Sequence, residues 1–271
     1  MRASARFGNR EEKTLKKRNF PDLSPKIFSR ISRSIRDFKM IEPGSRITLG
    51  LSGGKDSALL LAALAVLRGK SHVNFHLDAC LVDITGGDTE TGPMKDLCES
   101  LGVEFEVVPY PVLEILSTRD ERSPCSFCAN MRGGILFNHA KKKGATTVAM
   151  GHNLDDAVET ALLNLFYAGS FRCFAPISWR SRTDLWLVRP LVYLPESSVA
   201  EEIRRLGVKT ISPMCPFSRE SKRTRIKKLV ETLEKEIPDI RSQVLHALRG
   251  ARADDTWNMR SISLQGADRQ C

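Results

Sequence analysis

The sequence contains no long apolar run, and this absence excludes a class of protein. No stretch reaches the roughly 18 to 20 consecutive apolar residues that a membrane-spanning helix needs. Residues 1–19 are basic and polar and lack the apolar core of a secretory signal, while Glu11 and Glu12 argue against a mitochondrial presequence. We therefore expect a cytoplasmic protein with no membrane partner.

The sequence also lacks the even number of cysteines that a disulfide framework needs. It has 7, and an odd number in a chain without a secretory signal argues against such a framework. Cys125 and Cys128 form a CxxC pair that we place in a loop after Pro124, and Cys215 lies between two prolines. Three such thiols suit an iron–sulfur cluster with one open iron. A zinc site completed by His139, or a redox pair, fits the spacing as well.

Two familiar phosphate-binding patterns, GxxxxGK(S/T) and GxGxxG, do not describe the glycine-rich turn of this chain. The turn follows a predicted buried strand, Arg46 to Leu51, and precedes a predicted helix from Ala58 onward. Its glycines let the backbone approach a ligand, and the free N–H groups of the first helical turn point toward it. A Gly-Gly turn is ordinary in itself, but the added lysine and hydroxyl groups predict an anion site. The residues of the turn are Ser52, Gly53, Gly54, Lys55, Asp56 and Ser57.

The charge of the chain is strongly one-sided. A formal net charge of +10 and a pI near 9.4 favour a polyanionic partner, nucleic acid first. Residues 169–184 combine arginines with Phe and Trp, and residues 222–228 form a basic run within a predicted helical region over 219–249. Both stretches suit RNA, which needs phosphate neutralisation and stacking on unpaired bases, although either could be a solvated face. The candidate RNA-binding residues are Arg172, Arg180, Arg182, Lys222, Arg223 and Arg225.

Short apolar segments alternate with helical ones, which predicts an α/β fold with a doubly wound parallel sheet. Ligands of such sheets bind beyond the C-terminal ends of the strands, where we place Ser52, Asp83 and Gly151. We divide the chain into a basic leader with a helix (1–40), a main domain with the cysteine site (41–215), and a basic helical extension with a tail (216–271). Further strands are predicted over 74–82, 104–108, 146–150, 185–191 and 208–211, and further helices over 24–39, 93–101, 130–143 and 196–206.

The turn after the strand at 146–150 carries acidic residues at the start of a helix. Asn153 is expected to cap that helix, and Asp155 and Asp156 follow in its first turn. Carboxylates beside phosphates suit Mg²⁺, but the same two residues also stabilise a helix N-terminus by charge alone. Both interpretations stay open on spacing.

The motifs resemble those of a known family. The turn at residues 52–57 resembles the PP-loop of the ATP-pyrophosphatase superfamily, whose members cleave ATP between the α and β phosphates. With the further strings, the chain is similar to the tRNA 2-thiocytidine synthetase family of tRNA thiolases from about Ser34 to Gly250. The further strings are Cys125-Ser-Phe-Cys128, Arg132-Gly-Gly-Ile-Leu136, Gly151-His-Asn-Leu-Asp-Asp156 and Val188-Arg-Pro-Leu191, with Cys215 as the third cysteine.

The resemblance implies ATP, Mg²⁺ and a 4Fe-4S cluster, and adenylation of the C2 oxygen of a tRNA pyrimidine before sulfur replaces that oxygen. It implies that residues 52–57 hold pyrophosphate, that Asp83 and Gly151 border the nucleotide, and that tRNA and a sulfur donor, such as a cysteine desulfurase or sulfide, are partners of a homodimer. Asp56 and Asp155, and more loosely Asp156, are the expected magnesium and acid–base residues. The implied cluster ligands, which are also counted as catalytic, are Cys125, Cys128 and Cys215.

Three other functions remain open. The related 2-thiouridine thiolases carry zinc-binding cysteine pairs near both termini, whereas here no cysteine precedes Cys80 and only Cys271 follows Cys215, which favours the cytidine branch. A PP-loop ligase or amidotransferase acting on a small metabolite would need neither the three cysteines nor the basic stretches. A non-enzymatic RNA-binding module would keep its cellular effect after Lys55→Ala or Asp56→Ala.

Overall fold

The computed structural model describes residues 21–70, 73–119, 121, 124–211 and 221–250. In this part of the chain six strands form one sheet: β1 (Arg46–Gly50), β2 (His76–Asp83), β3 (Glu104–Pro109), β4 (Thr147–Ala149), β5 (Ile177–Arg180) and β6 (Leu185–Val188). Their order across the sheet is β3-β2-β1-β4-β6-β5, and every pair is parallel except β5 with β6. Since β1 lies between β2 and β4, the winding direction reverses there, and the C-terminal ends of β1 and β4 border the crevice where such folds bind ligands.

The helices of the described residues cover both faces of the sheet. None of them is long and apolar enough to span a membrane. In chain order they are α1 (Pro25–Asp37), α2 (Lys55–Lys70), α3 (Gly92–Leu101), α4 (Val112–Ser117), α5 (Pro124–Lys142), α6 (Leu154–Ala168), α7 (Glu196–Arg205), α8 (Lys222–Glu236) and α9 (Ile240–Gly250).

The central helix is α2. Every residue of its stretch 57–66 is buried, because the sheet covers one side and α1, α3 and α7 cover the rest. A helix that is apolar all round belongs in such a position. On the opposite face of the sheet α5 packs Leu136 and Ala140 against Cys80 and Val148. The predicted doubly wound α/β fold is thereby confirmed.

The N-terminal helix α1 follows its predicted bounds closely. Its residues Ile27 and Ile31 belong to the main core, and Ser34 donates a hydrogen bond of 2.5 Å to the carbonyl oxygen of Pro190. Part of the segment 1–40 therefore packs on the main domain. The division of the chain at residues 40 and 215 remains a prediction.

The prediction that Cys125 and Cys128 lie in a loop is wrong. Helix α5 begins at Pro124, so both cysteines occupy its first turn. Proline fits the first position of a helix because its missing N–H would be unpaired there anyway. Packing supports this end of the helix, since Cys128 lies in an apolar cluster with Val112 and Leu116 of α4. The short helix α4 was not predicted.

Three other boundaries differ from prediction. Residues 208–211 form no strand among the described residues; instead the N–H of Ile211 donates to the carbonyl oxygen of Gly53 over 2.8 Å, behind the glycine-rich turn. The basic aromatic stretch contains β5, which pairs with β6 as a hairpin, and β6 stops at Val188, just before Arg189 and Pro190. The predicted helical region 219–249 contains two helices, because Pro238 lacks the N–H that a helix interior requires.

Candidate active site

The glycine-rich turn connects β1 to α2 at the C-terminal edge of the sheet. The Ser57 hydroxyl closes it, since its Oγ accepts from the N–H of Ser52 over 3.1 Å and donates to the carbonyl oxygen of Gly54 over 3.0 Å. Gly53 has a φ of +80°, and a Cβ at that position would lie 2.9 Å from the side chain of Ile211. Both the backbone conformation and the space therefore require glycine at this position.

The turn after β4 packs directly on this loop. A Cβ on Gly151 would lie 2.9 Å from the backbone carbon of Asp56 and from the backbone nitrogen of Ser57. The predicted cap of α6 is confirmed, because Asn153 and Asp156 exchange two side-chain-to-backbone hydrogen bonds of 3.0 Å. The Asn153 Nδ2 also donates to Asp56 Oδ1 over 2.8 Å. These contacts hold the N-termini of α2 and α6 side by side.

A cavity of about 390 Å³ opens between these two helix N-termini and one face of α5. The free N–H groups and dipoles of the two helices favour an anion, and the apolar wall suits a flat base. The arrangement therefore suits a nucleotide with its phosphates at the helix ends. The apolar wall includes Val82, Leu136 and Met150, and the polar lining includes Ser52, Asp56, Ser57, Arg132, Gly151, His152, Asp156 and Arg223.

Two carboxylates face this cavity. Burial raises the pKa of Asp156, and the negative charges of Asp56 and Glu196 add to that rise, while the backbone of Asn153 and the charge of Arg223 oppose it. A divalent cation would stabilise the charged form of such a pair. Because Mg²⁺ is bound in proteins by one or two carboxylates together with phosphate oxygens, the Asp56–Asp156 pair fits this ion.

Lys55 lies on the other side of the loop. Its Nζ donates to Asp56 Oδ2 over 3.0 Å and to Glu196 Oε1 over 2.8 Å. Burial acts to lower the pKa of Lys55, but the bonds to these carboxylates outweigh burial and raise it, so that the ammonium stays charged. Glu196 also accepts a bond of 2.6 Å from Lys227 Nζ of α8. These hydrogen bonds connect α7 and α8 to the glycine-rich loop.

Six of the predicted site residues meet at the cavity, and several do not. Those that line it are Ser52, Asp56, Ser57, Gly151, Asp156 and Arg223. Gly53, Gly54 and Lys55 belong to the loop but are not part of the cavity lining. Cys215 lies outside the described residues.

Asp155 does not line the cavity, which corrects its predicted position. Its Oδ2 accepts from the backbone N–H of Glu196 over 2.6 Å, and its Oδ1 accepts from Arg241 Nε over 2.6 Å. One residue of helix turns a side chain by about 100°, so the neighbouring Asp156 faces the cavity while Asp155 faces α7 and α9. Asp155 therefore fixes the positions of the N-termini of α7 and α9.

Asp83 also lies outside the cavity lining, although its neighbour Val82 belongs to it. Its carboxylate accepts hydrogen bonds from the N–H and the hydroxyl of Thr85 over 2.9 and 2.7 Å, and from the hydroxyl of Thr89 over 2.5 Å. Burial acts to raise the pKa of Asp83, but these bonds outweigh burial and lower it. The residue fixes the loop that leaves β2.

The cysteine pair lies near the same cavity. Cys125 is four, seven and eight residues before Ala129, Arg132 and Gly133, so helical spacing places it on the face of α5 that lines the cavity. Cys128 follows one turn later and is 9% exposed. Two thiols one turn apart beside an open cavity fit a cluster that takes a third thiol from elsewhere. Within the described ranges, no group of three or more His, Cys, Asp and Glu side chains is arranged to hold a metal ion.

His139 cannot complete a zinc site with these cysteines. It lies 14 residues after Cys125 in the same helix, which corresponds to about 21 Å along the axis. Its Nε2 is 2.9 Å from Glu106 Oε2 at the far end of the sheet. The zinc site that sequence spacing left open, with His139 as the fourth ligand, is therefore wrong.

The basic residues predicted to bind RNA fall into different places. Arg223 lies at the mouth of the nucleotide cavity, with Nη1 at 3.4 Å from Asp156 Oδ1 and Nη2 at 2.9 Å from the Thr160 hydroxyl. Lys222 has its Nζ 5.0 Å from the centroid of the Tyr167 ring. Both are exposed, as are the other four, Arg172, Arg180, Arg182 and Arg225.

Several residues of the site were not predicted from the sequence. Asn153 was identified only as a helix cap, and Glu196 and Lys227 were not singled out. The Lys55–Glu196 bond joins residues 141 positions apart, so no local pattern could indicate it. One signal in the sequence was the N-cap asparagine. Its amide oxygen caps the helix, and its amide NH2 group still needs an acceptor when the residue is buried.

His152 gives the site a predicted pH dependence. Its Nδ1 is buried without a hydrogen-bond partner among the described residues, and burial, helped by the charges of Arg189 and Arg223, lowers its pKa to about 4. Since the ordinary pKa is about 6.5, the resulting stability is fully present above pH 6.5 and is lost as the pH falls toward 4. We expect a loss of at most about 3 kcal/mol in the free energy of unfolding over that range.

The matched variant is His152→Gln, which should remove this part of the pH dependence. Urea unfolding of both proteins at pH 7.5 and at pH 4.5 measures the difference. The comparison must be between the two proteins, because burial raises the pKa of Glu159 to about 7 and that group gains stability on acidification. Equal pH dependence in both proteins would contradict the prediction.

Comparison with known proteins identifies the family. A family model described as a PP-loop domain matches residues 25–233. The chain is 34% identical over 248 residues to the tRNA-cytidine(32) 2-sulfurtransferase of Bdellovibrio bacteriovorus, covering 89% of this chain and 95% of that protein. It is 36% identical over 222 residues to the protein of the same name from Pelobacter propionicus, covering 80% of this chain and 82% of that one.

A solved structure shares the fold. The U34-tRNA thiolase NcsA from Methanococcus maripaludis, with its 4Fe-4S cluster, superposes with a TM-score of 0.69 at 22% identity, over 84% of this chain and 80% of that one. The match to the family model and the identity to curated relatives along most of the chain agree with the geometry of the loop. The chain belongs to the PP-loop family that includes the tRNA-cytidine(32) 2-sulfurtransferases.

Proposed function

We propose that this protein is an ATP-dependent tRNA sulfurtransferase that converts cytidine 32 of tRNA into 2-thiocytidine. The observation that carries the proposal is a single cavity that joins the PP-loop, the Asp56–Asp156 pair and the face of α5 that bears Cys125. The base and its position are taken from the names of the relatives.

The chemistry explains why the site needs a nucleotide. The C2 oxygen of cytidine is a poor leaving group, so it must be activated. Attack of that oxygen on the α-phosphorus of ATP forms an O–P bond and releases pyrophosphate. Attack of sulfur at the sulfide oxidation level at C2 then breaks the C–O bond and releases AMP. Sulfide supplies that sulfur directly, whereas a persulfide carried by a cysteine desulfurase must also gain two electrons, which a thiol supplies as it is oxidised to a disulfide.

The residues of the cavity divide this work. The N–H groups of residues 52–57 bind the pyrophosphate portion, and the apolar wall of Val82, Leu136 and Met150 accepts the adenine. Asp56 and Asp156 would hold Mg²⁺, which screens the phosphate charge when bound. Arg223 adds a positive charge at the mouth of the cavity, where it faces Asp156.

The cysteines are assigned to the sulfur side of the reaction. Cys125 and Cys128, together with Cys215, would hold a 4Fe-4S cluster, which supplies an open iron for the incoming sulfur. The catalytic role expected for Asp155 becomes a positioning role, because both of its oxygens are bonded to other elements. Asp83 likewise positions the loop after β2.

The partners follow from this assignment. We propose that tRNA is the substrate, that a cysteine desulfurase or sulfide donates the sulfur, and that the protein acts in the cytoplasm as a homodimer. The net charge of +10 supports a polyanionic substrate.

The products of ATP turnover test the proposal. Purified protein reconstituted with iron and sulfide should convert ATP to AMP and pyrophosphate in the presence of a tRNA with cytidine at position 32. A tRNA that differs only in having uridine there is the control and should support little turnover. Turnover with no tRNA present would favour the small-metabolite ligase, and equal turnover on uridine would favour the 2-thiouridine branch.

A further inference from the structure

A second cavity, of about 690 Å³, lies beside the first. It opens between α5 and the β5–β6 hairpin. The two cavities share Ala129, Gly133 and Met150 as a common wall. The two cavities are therefore contiguous.

The second cavity is positively charged. Arg180, Arg182 and Arg189 line it, and no carboxylate of the described residues belongs to its lining. The exposed pair Arg180 and Arg182 stands at the rim, on the strand β5 and the turn after it. A cavity with three guanidinium groups and no acid attracts an anion.

Arg189 is unusual among these three. It is only 5% exposed, its guanidinium carbon is 4.7 Å from the centroid of the Phe174 ring, and one nitrogen donates to the carbonyl oxygen of Ala175 over 2.6 Å. Its Nε is buried and has no hydrogen-bond partner among the described residues. Leaving a buried donor unpaired is costly, so this nitrogen keeps a hydrogen-bonding capacity that a water or a ligand can fill.

The walls of the cavity also offer surfaces for a base. Trp179 is 49% exposed, and its ring is held edge-on to Trp186 at 5.1 Å between centroids. Phe137 lies 5.8 Å from the guanidinium carbon of Arg180. Asn130 and Asn138 add amide groups that can bond to base edges. Aromatic rings beside arginines are the combination that binds unpaired RNA nucleotides.

We propose that this second cavity binds the unpaired tRNA nucleotide that adjoins the reacting cytidine. Its phosphate is held by Arg180, Arg182 and Arg189, and its base stacks on Trp179. The inference rests on the proposed function, because that function puts the reacting cytidine at the first cavity. It adds a specific role to the exposed arginines: they position the substrate strand next to the site of adenylation.

Tryptophan fluorescence tests the stacking directly. The chain has 3 tryptophans, so the double variant Trp186→Phe, Trp257→Phe retains Trp179 alone. We expect a single-stranded oligoribonucleotide of the anticodon-loop sequence to quench this fluorescence. Free CMP should quench only at far higher concentrations, because it lacks the second nucleotide. Quenching by CMP at equal concentration would overturn the proposal in favour of a free-nucleotide site.

Charge variants test the phosphate contact. Arg182→Ala should weaken binding of the oligoribonucleotide about 10-fold and reduce the salt dependence of log K by about one unit. The matched control is Arg204→Ala, an exposed arginine of α7, which should change neither quantity.

The nucleotide site and the proposed function are tested by different outcomes. If the wild-type protein thiolates tRNA but Trp179 is unquenched, or Arg182→Ala binds as wild type, the second cavity is not the nucleotide site and the proposed function stands. If the wild-type protein modifies no tRNA, the proposed function fails, and this inference fails with it.

Discussion

Replacing Gly151 with alanine is expected to reduce tRNA-dependent pyrophosphate release by roughly 100-fold or more. The new methyl group would lie 2.9 Å from the backbone of Asp56 and Ser57, and neither of those atoms belongs to a flexible side chain. The first turn of α2 must therefore move away from the turn after β4, and the phosphate-binding N–H groups move with it. Overpacking of this kind also costs about 1–3 kcal/mol of stability.

Pyrophosphate release and thermal unfolding measured on the same preparation separate the two effects. The control is Gly250→Ala at the end of α9, where an added Cβ meets no atom within 4 Å. That variant should behave as wild type in both assays. Wild-type turnover by the Gly151→Ala protein would show that contact between the two turns does not shape the site.

The second large effect is expected from Cys125→Ala, which should abolish thiolation and leave ATP binding measurable. Cys125 lies in the first turn of α5, on the helical face that lines the nucleotide cavity, but outside the PP-loop itself. A cluster held by three thiolates cannot be held by two, so sulfur transfer is lost. We expect ATP to bind at the N-termini of α2 and α6, which this change does not touch.

Thiolation is measured by analysing the tRNA product, labelled with tritium or with a heavy isotope. ATP binding is measured by isothermal titration calorimetry. Cys173→Ala is the control. That thiol donates to the carbonyl oxygen of Ala157 over 3.3 Å, and burial raises its pKa, so it is a poor candidate for a metal ligand. Loss of ATP binding and thiolation to the same extent in Cys125→Ala would mean that the cysteines serve structure alone.

The local chemistry of the chain predicts much of the fold. Gly-Gly between a strand and a helix, an asparagine before an apolar helical pattern, and the alternation of apolar strands with helices each depend on neighbours in sequence. The resulting predictions place Ser52, Asp83 and Gly151 at the C-terminal edge of the sheet and Asn153 as the cap of α6, as the structure has them. They also place the start and end of α1 within two residues.

Long-range contacts account for what the sequence could not predict. Arg223 looked like part of an RNA-binding run, but α8 packs on α6 through Ile226 and Val230, and this turns Arg223 toward Asp156. Asp155 and Asp156 are equivalent by type, and only the rotation of the helix distinguishes them. The loop predicted around the cysteines is wrong because α5 begins at Pro124 instead of at residue 130, and the packing of Cys128 against α4 supports this added first turn.

Nucleoside mass spectrometry of tRNA shows whether the protein makes 2-thiocytidine in the cell. Total tRNA would be compared from cells with the gene, without it, and complemented by the wild-type or the Cys125→Ala gene. We predict that 2-thiocytidine disappears on deletion, returns with the wild-type gene, and stays absent with Cys125→Ala. An unchanged nucleoside profile after deletion, or loss of a 2-thiouridine while 2-thiocytidine persists, would contradict the account.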